Sequence, residues 1–108
     1  MARPFTIKRN DLSRSLKYYL RANPASNFTG ATVVFNMKTK DKAVKIARGT
    51  ASLGNDAGGD FATYDWQTGD TDTKGSYEAE FEVILSSGKP ETYPNDDHID
   101  VLITEDLG

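Results

Sequence analysis

The chain has 108 residues, 37% of them hydrophobic and 27% charged, which is the size and balance of one globular domain around one modest core. Its 13 Lys and Arg stand against 16 Asp and Glu, and the net charge of -3 has the wrong sign for wrapping a nucleic-acid backbone, so nucleic acid is set aside as a partner. There is no cysteine, hence neither a disulfide frame nor a thiolate metal site, and packing alone must hold the core.

A single domain over residues 1–108 is expected, with residues 1–4 as a flexible N-terminal arm. No apolar run approaches the length of a membrane span or of a signal-peptide core, so the expectation is a soluble protein made in the cytoplasm, with no membrane partner. It would leave a cell only by lysis or as part of a particle.

In chain order, residues 5–8 read as a short strand. Residues 11–22 fit two patterns. Leu12, Leu16, Tyr19 and Leu20 make a helical stripe behind an Asn10 or Asp11 cap, whereas Leu16, Tyr18 and Leu20 alternate as in a strand. The strand is preferred, because a helix would stand alone in a β pattern and the Asn23-Pro24 turn follows quickly. Residues 31–37 alternate, with Ala31, Val33, Phe35 and Met37 on one side, after a Thr29-Gly30 turn. Residues 43–53 read as one weaker strand, and residues 55–60 as hairpin loop chemistry.

Residues 61–66 then place Ala62, Tyr64 and Trp66 on one face. The clearest strand is 76–85, where Tyr77, Ala79, Phe81, Val83 and Leu85 alternate with Glu78, Glu80 and Glu82. A weak strand at 91–93 and a firm one carrying Ile99, Val101 and Ile103 complete the pattern. Short strands at near-regular spacing point to a sandwich or barrel.

Asp70, Gly75 and Tyr77 follow one another at the short spacing of the corner that precedes a late strand in immunoglobulin-like sandwiches, where a Tyr buries its ring and bonds its hydroxyl to nearby backbone. The expected fold is therefore all-β, an immunoglobulin-like antiparallel β-sandwich of about seven to eight strands. Asp70 and Asp72 could instead be calcium ligands, but the calcium-loop spacing with its terminal Glu is missing, and the corner is preferred.

Asp96, Asp97 and Asp100 surround His98, the single histidine. A lone His without a second His, a Cys or a nucleophile fits a solvated turn entering a strand, with His98 and Asp100 on the outward face. Glu78, Glu80 and Glu82 share one strand face, and a basic neighbour such as Lys38 or Lys45 is expected to relieve their repulsion. Trp66 is expected in the core rather than as a stacking platform. Lys8, Arg9, Arg14, Lys17 and Arg21 gather in the first fifth of the chain while the latter half is acidic, an asymmetry that a repeated subunit could use for head-to-tail contacts. No nucleophile, base and metal set is paired, so no enzyme, no catalytic or metal residue and no cofactor is expected.

Several stretches taken together resemble the N-terminal domain of phage baseplate upper proteins. They are residues 5–11; Phe28-Thr29-Gly30-Ala31-Thr32-Val33 with Phe35-Asn36-Met37-Lys38; Tyr64-Asp65-Trp66; Gly69-Asp70-Thr71-Asp72; residues 75–81; and residues 91–96. The resemblance spans almost the whole chain and rests on order and spacing rather than on one diagnostic motif. It implies an immunoglobulin-like sandwich made in the cytoplasm of a bacterial host and used in the virion of a tailed phage to attach one structural part to another, in multiple symmetric copies or as a homo-oligomer.

In baseplate upper proteins a linker and a receptor-protein-holding portion follow this domain, whereas this sequence runs to Gly108. The expectation is accordingly a stand-alone adaptor in the tail or baseplate that docks onto other virion proteins. A capsid decoration or head-fibre-anchoring protein is the alternative within the same class. Candidate contact residues are Arg3, Phe5, Lys8, Arg9 and an outward Tyr19. A rival class, a module that binds a ligand or glycan, would use Trp66, Tyr93 and His98 as exposed residues.

Overall fold

The computed structural model describes residues 4–20, 28–94 and 97–105. Among these described residues nine strands run in the order β1 Phe5–Lys8, β2 Leu16–Tyr19, β3 Thr32–Thr39, β4 Val44–Thr50, β5 Ser52–Asp56, β6 Gly59–Tyr64, β7 Gly75–Ile84, β8 Pro90–Tyr93 and β9 Ile99–Thr104. One sheet has the order β1-β9-β7-β3-β4, with β8 added on β7, and the other is β2-β6-β5. The longest strand, β7, lies at the centre of the first sheet. β3 pairs along one of its edges, while β9 takes residues 75–79 and β8 residues 81–84 of the other. All pairings are antiparallel except that of β1 with β9, which is parallel. The two sheets face each other as an immunoglobulin-like sandwich.

The strand count exceeds seven to eight for a local reason. Residues 43–53 do not form one strand, because the chain leaves the first sheet at Thr50, bonds Ala51 N to the Val33 carbonyl, and enters the second sheet at Ser52. Earlier in β4 the register with β3 slips twice, and Arg48 takes a positive φ of 52° while its N–H donates to Asn36 Oδ1. Such bulges bend an edge strand and raise its twist, which is what a crossing between sheets needs. The 55–60 loop is likewise tighter than its composition suggests: Asn55 pairs Asp60 and Asp56 pairs Gly59, leaving Ala57 and Gly58 as the turn.

Residues 16–19 are the strand expected from Leu16 and Tyr18, with Leu16 and Leu20 buried; Arg21, Ala22 and the Asn23-Pro24 turn lie outside the described residues. The inward faces meet at Phe35, which is fully buried. Its ring stacks on Tyr64 from the opposite sheet at 4.4 Å and 16°, and touches Phe81 at 5.0 Å and Trp66 at 5.8 Å. Val33, Met37, Tyr77, Ala79, Val83, Val101 and Ile103 fill the first sheet's side, and Leu16, Leu20 and Ala62 the second's.

Trp66 lies two residues past the end of β6 and is buried, its indole N–H donating to the Arg14 carbonyl at 3.1 Å. The neighbouring loop is tied down as well. Thr71, buried, donates its hydroxyl to the Asp11 carbonyl, and Asn10 N donates to the Thr71 carbonyl. The Tyr77 ring is buried and its hydroxyl donates to the Thr73 carbonyl four residues upstream at 2.6 Å, the expected corner.

Replacing Tyr77 by Phe keeps the ring and deletes that bond, leaving the Thr73 carbonyl without its donor. Urea denaturation is expected to show a loss of about 1–2 kcal/mol with an unchanged slope. A loss near zero would mean that the corner is held by ring packing alone.

Candidate contact surface

The outer face of the β2-β6-β5 sheet is built by alternation and by two glycines. Leu16 and Leu20 point inward, which turns Lys17 and Tyr19 outward. Phe61 stands beside Tyr19 on one side and Gly54 on the other. A Cβ at Gly54 would come within 2.5 Å of the Phe61 ring, and one at Gly58 within 2.8 Å of the Tyr19 ring, so each ring rests directly on glycine backbone. The rings meet edge to face at 5.9 Å. The Lys17 ammonium lies 4.1 Å over Phe61 and 4.9 Å over Tyr19 and is bound by Asp56 at 2.7 Å. Asp56 also accepts from the Tyr19 hydroxyl and from Gly58 N. The hydrogen bond from Lys17, then that from Gly58 N, holds the Asp56 carboxyl below its ordinary range, and the same bond to Asp56 raises the Lys17 ammonium.

The outer face of the larger sheet is a ladder of ion pairs. Glu78 receives Lys42 at 2.7 Å and Lys40 at 3.7 Å, and Glu82 receives Arg48 at 3.0 Å. Lys45 reaches Asp72 at 2.6 Å rather than the β7 glutamates. Lys38 stands directly across from Glu78 in register, yet the cations that bind the acidic strand come from the β3–β4 turn and the β4 bulge. The expected relief is present with different residues, because the bulges of β4 displace its side chains from a regular cross-strand pattern.

The carboxylates of the 70–73 segment are engaged in the fold. Asp70 accepts from the Tyr64 hydroxyl and from Gln67 N, and Asp72 accepts from Lys45 and Thr73. Burial, reinforced by Asp70, raises the Tyr64 phenol far above its ordinary value. Hydrogen bonds from Lys45 and Thr73 lower the Asp72 carboxyl. Among the described residues no group of three or more His, Cys, Asp or Glu is arranged to hold a metal ion.

The candidate contact residues fall into separate settings. Arg3 lies outside the described residues, as does Asp96 of the histidine cluster. Phe5 belongs to β1 and is half-buried, with its ring 5.8 Å from Trp66 and the Arg14 guanidinium 4.4 Å above it. Lys8, on the same strand, is exposed. Arg9 pairs with Glu105 at 3.3 Å, and its Nε is buried without a hydrogen-bond partner among the described residues. Tyr19 faces outward on the other sheet, within the aromatic cluster. Residues 5–9 and Tyr19 thus belong to opposite layers of the sandwich. Of the residues suited to a ligand-binding module, Trp66 and Tyr93 are buried and only His98 is partly open. The aromatic pair on an outer face, Tyr19 and Phe61, depends on a register that brings each ring over a glycine. Outward alternation at Tyr19, and at Phe61 opposite the face of Ala62, Tyr64 and Trp66, was the sign of it in the sequence.

Compared with known proteins, the chain matches no protein-family model, no curated protein and no solved structure.

The Asp56 shift fixes the sign of one pH effect. A carboxyl held below its ordinary value of 3.8 contributes stability above that pH and loses it as pH falls through the lower folded value. Asp56→Asn is therefore expected to lower the urea midpoint at pH 7 and to match the parent protein near pH 2. Equal curves at pH 7 would show that the Lys17 bond adds nothing, as for many exposed pairs.

Proposed function

We propose that this chain is a structural protein of a tailed-phage virion, an adaptor that docks onto other virion proteins of the tail or baseplate by adhesion and without catalysis. One observation supports it above the rest: the stretches that resemble baseplate upper proteins fold as the frame of one sandwich. Residues 5–8 are β1, residues 32–38 lie in β3, residues 75–81 open β7, and Gly69 to Asp72 lead into the Tyr77 corner. Segments from distant parts of the chain thus converge on the fold that the resemblance implies.

Docking would use what the frame leaves open. The strands β1, β4, β2 and β5 end their sheets, and an end strand offers backbone donors and acceptors to a partner. Glu78 and Glu82 of β7 are met within the molecule by Lys40, Lys42 and Arg48, so they are poorly suited to head-to-tail attraction. Of the basic residues gathered in the first fifth of the chain, Lys8 and Arg14 are exposed and without an ion pair among the described residues. Weak contacts of this kind hold when many copies engage at once.

Particles lacking this protein, mixed with the purified chain, are expected to regain it at the tail or baseplate in electron micrographs. Labelling of the capsid instead would make it a decoration or fibre-anchoring protein, and failure to rebind anywhere would overturn the adhesive role. Reversing both charges, Lys8→Glu with Arg14→Glu, is expected to weaken rebinding about tenfold, with the loss growing at low salt.

A further inference from the structure

The border of the larger sheet at β1 carries charge that the fold does not neutralise. Lys8 is exposed on β1, and Arg14, exposed in the link to β2, holds its guanidinium 4.4 Å over the half-buried Phe5 ring. Neither has an ion pair among the described residues. At the other end of the sheet, by contrast, Lys45 and Arg48 of β4 are bound to Asp72 and Glu82. Lys38 and Lys89 also lack an ion pair there, but Lys38 faces Glu78 in register and Lys89 lies in the β7–β8 turn, so neither belongs to β1 or its link.

The link from β1 to β2 is anchored. The Asp11 carbonyl accepts from the Thr71 hydroxyl, the Arg14 carbonyl from the Trp66 indole, and the Ser15 hydroxyl donates to Asp65. Between those anchors Leu12 is 36% exposed, one of two large hydrophobic side chains left open among the described residues, Val44 of β4 being the other. The β1 backbone has an open side as well. Arg9 N donates to the Thr104 carbonyl of β9, so alternation along the strand turns Thr6 and Lys8 toward the free edge. There the Lys8 carbonyl accepts from Asp11 N, while the Thr6 N–H and carbonyl meet no other backbone group among the described residues.

We propose that the β1 border is the docking site for an extended acidic segment of the partner virion protein. Its carboxylates bind Lys8 and Arg14, its backbone extends the sheet at Thr6, and an apolar side chain covers Leu12. The inference rests on the adaptor reading and names the chemistry of the partner. Charge decides the occupant. A second copy presenting the same border would bring Lys8 and Arg14 against their own equivalents, and like charges across a contact oppose it. A cation on an end strand also discourages indiscriminate strand addition, so this edge selects a segment of opposite sign. A nucleic-acid backbone carries that sign at high density, and two free cations on a chain of net charge -3 are too few to hold it.

The test uses the full chain labelled with nitrogen-15 and two short peptides, one alternating Glu with Val and the other Lys with Val. Titration with the Glu peptide is expected to shift the backbone amide signals of Thr6, Lys8, Leu12 and Arg14, with an apparent Kd that rises as salt is added. The Lys peptide is expected to leave those signals in place. Lys8→Gln with Arg14→Gln changes two exposed side chains, so the urea midpoint should hold while the affinity for the Glu peptide falls about tenfold. Shifts centred on another surface, equal shifts with both peptides, a DNA oligonucleotide that binds as well as the Glu peptide, or an unchanged affinity in the double variant would overturn the site. Particle rebinding is read separately: if it persists while the peptide result fails, the adaptor reading stands without this site, and if it alone fails, the site outlives that reading.

Discussion

The stack of Phe35 on Tyr64 is the contact on which the rest of the molecule depends. The two rings come from opposite sheets, and their face-to-face approach sets the spacing between the layers. It requires room beside Phe35 on its own sheet. That room comes from Gly49, the cross-strand neighbour of Phe35, where a Cβ would sit 2.9 Å from the Tyr64 ring and 3.0 Å from Ile46. Tyr64 thus fills a slot that a missing side chain leaves. Its buried hydroxyl must still find a partner, and it finds Asp70, which in turn closes its own loop by accepting from Gln67 N. Trp66 meets both stacked rings nearly at right angles. Core, loop and corner are consequently one construction, with Thr71 binding Asp11 and Tyr77 binding Thr73 only a few residues beyond Asp70.

The two outer faces solve exposure in different ways. The larger sheet carries charge matched in place, and single exposed pairs of that kind add little stability each. Their value lies in specificity: Arg48, turned by a bulge at positive φ, reaches Glu82, and Lys45 reaches the loop at Asp72. The smaller sheet carries rings laid on glycines, with an ammonium and a carboxylate above them. Glycine weakens a strand, and a ring from the neighbouring strand covering it offsets part of that loss. The hairpin between β5 and β6 is held in this manner within β5, at Gly54, and at its turn, at Gly58.

Much of the frame was legible because alternation with period two is a strong signal. Val33, Phe35 and Met37, then Tyr77 through Val83, are the buried positions that their spacing indicated. The switch of sheets at Ala51 left no such mark, since Thr50-Ala51-Ser52 carries no Gly or Pro and both halves of the segment look like strand. Ion-pair partners were visible only as classes. Glu78 needed a cation, but which one depended on the β4 bulges, and those arise from register rather than composition. Phe5 illustrates the opposite case. Its alternation with Ile7 marked a strand, yet whether its ring lay open or against Trp66 depended on a residue sixty-one positions away. Gly49 lay inside the strand expected over residues 43–53 and Gly58 inside the expected 55–60 loop, with Gly54 between the two, and their shared role beneath aromatic rings emerges only once strands are paired.

The parallel pairing of β1 with β9 has a mechanical meaning. Phe5 to Lys8 lie alongside Val101 to Thr104 in the same direction, one strand near each end of the described chain. A pull applied ahead of Phe5 and beyond Thr104 would drag the two strands lengthwise past each other, so their hydrogen bonds share the load in shear instead of parting one at a time. Tension along the chain therefore meets its strongest resistance at the outset, before β7 or the aromatic core is disturbed.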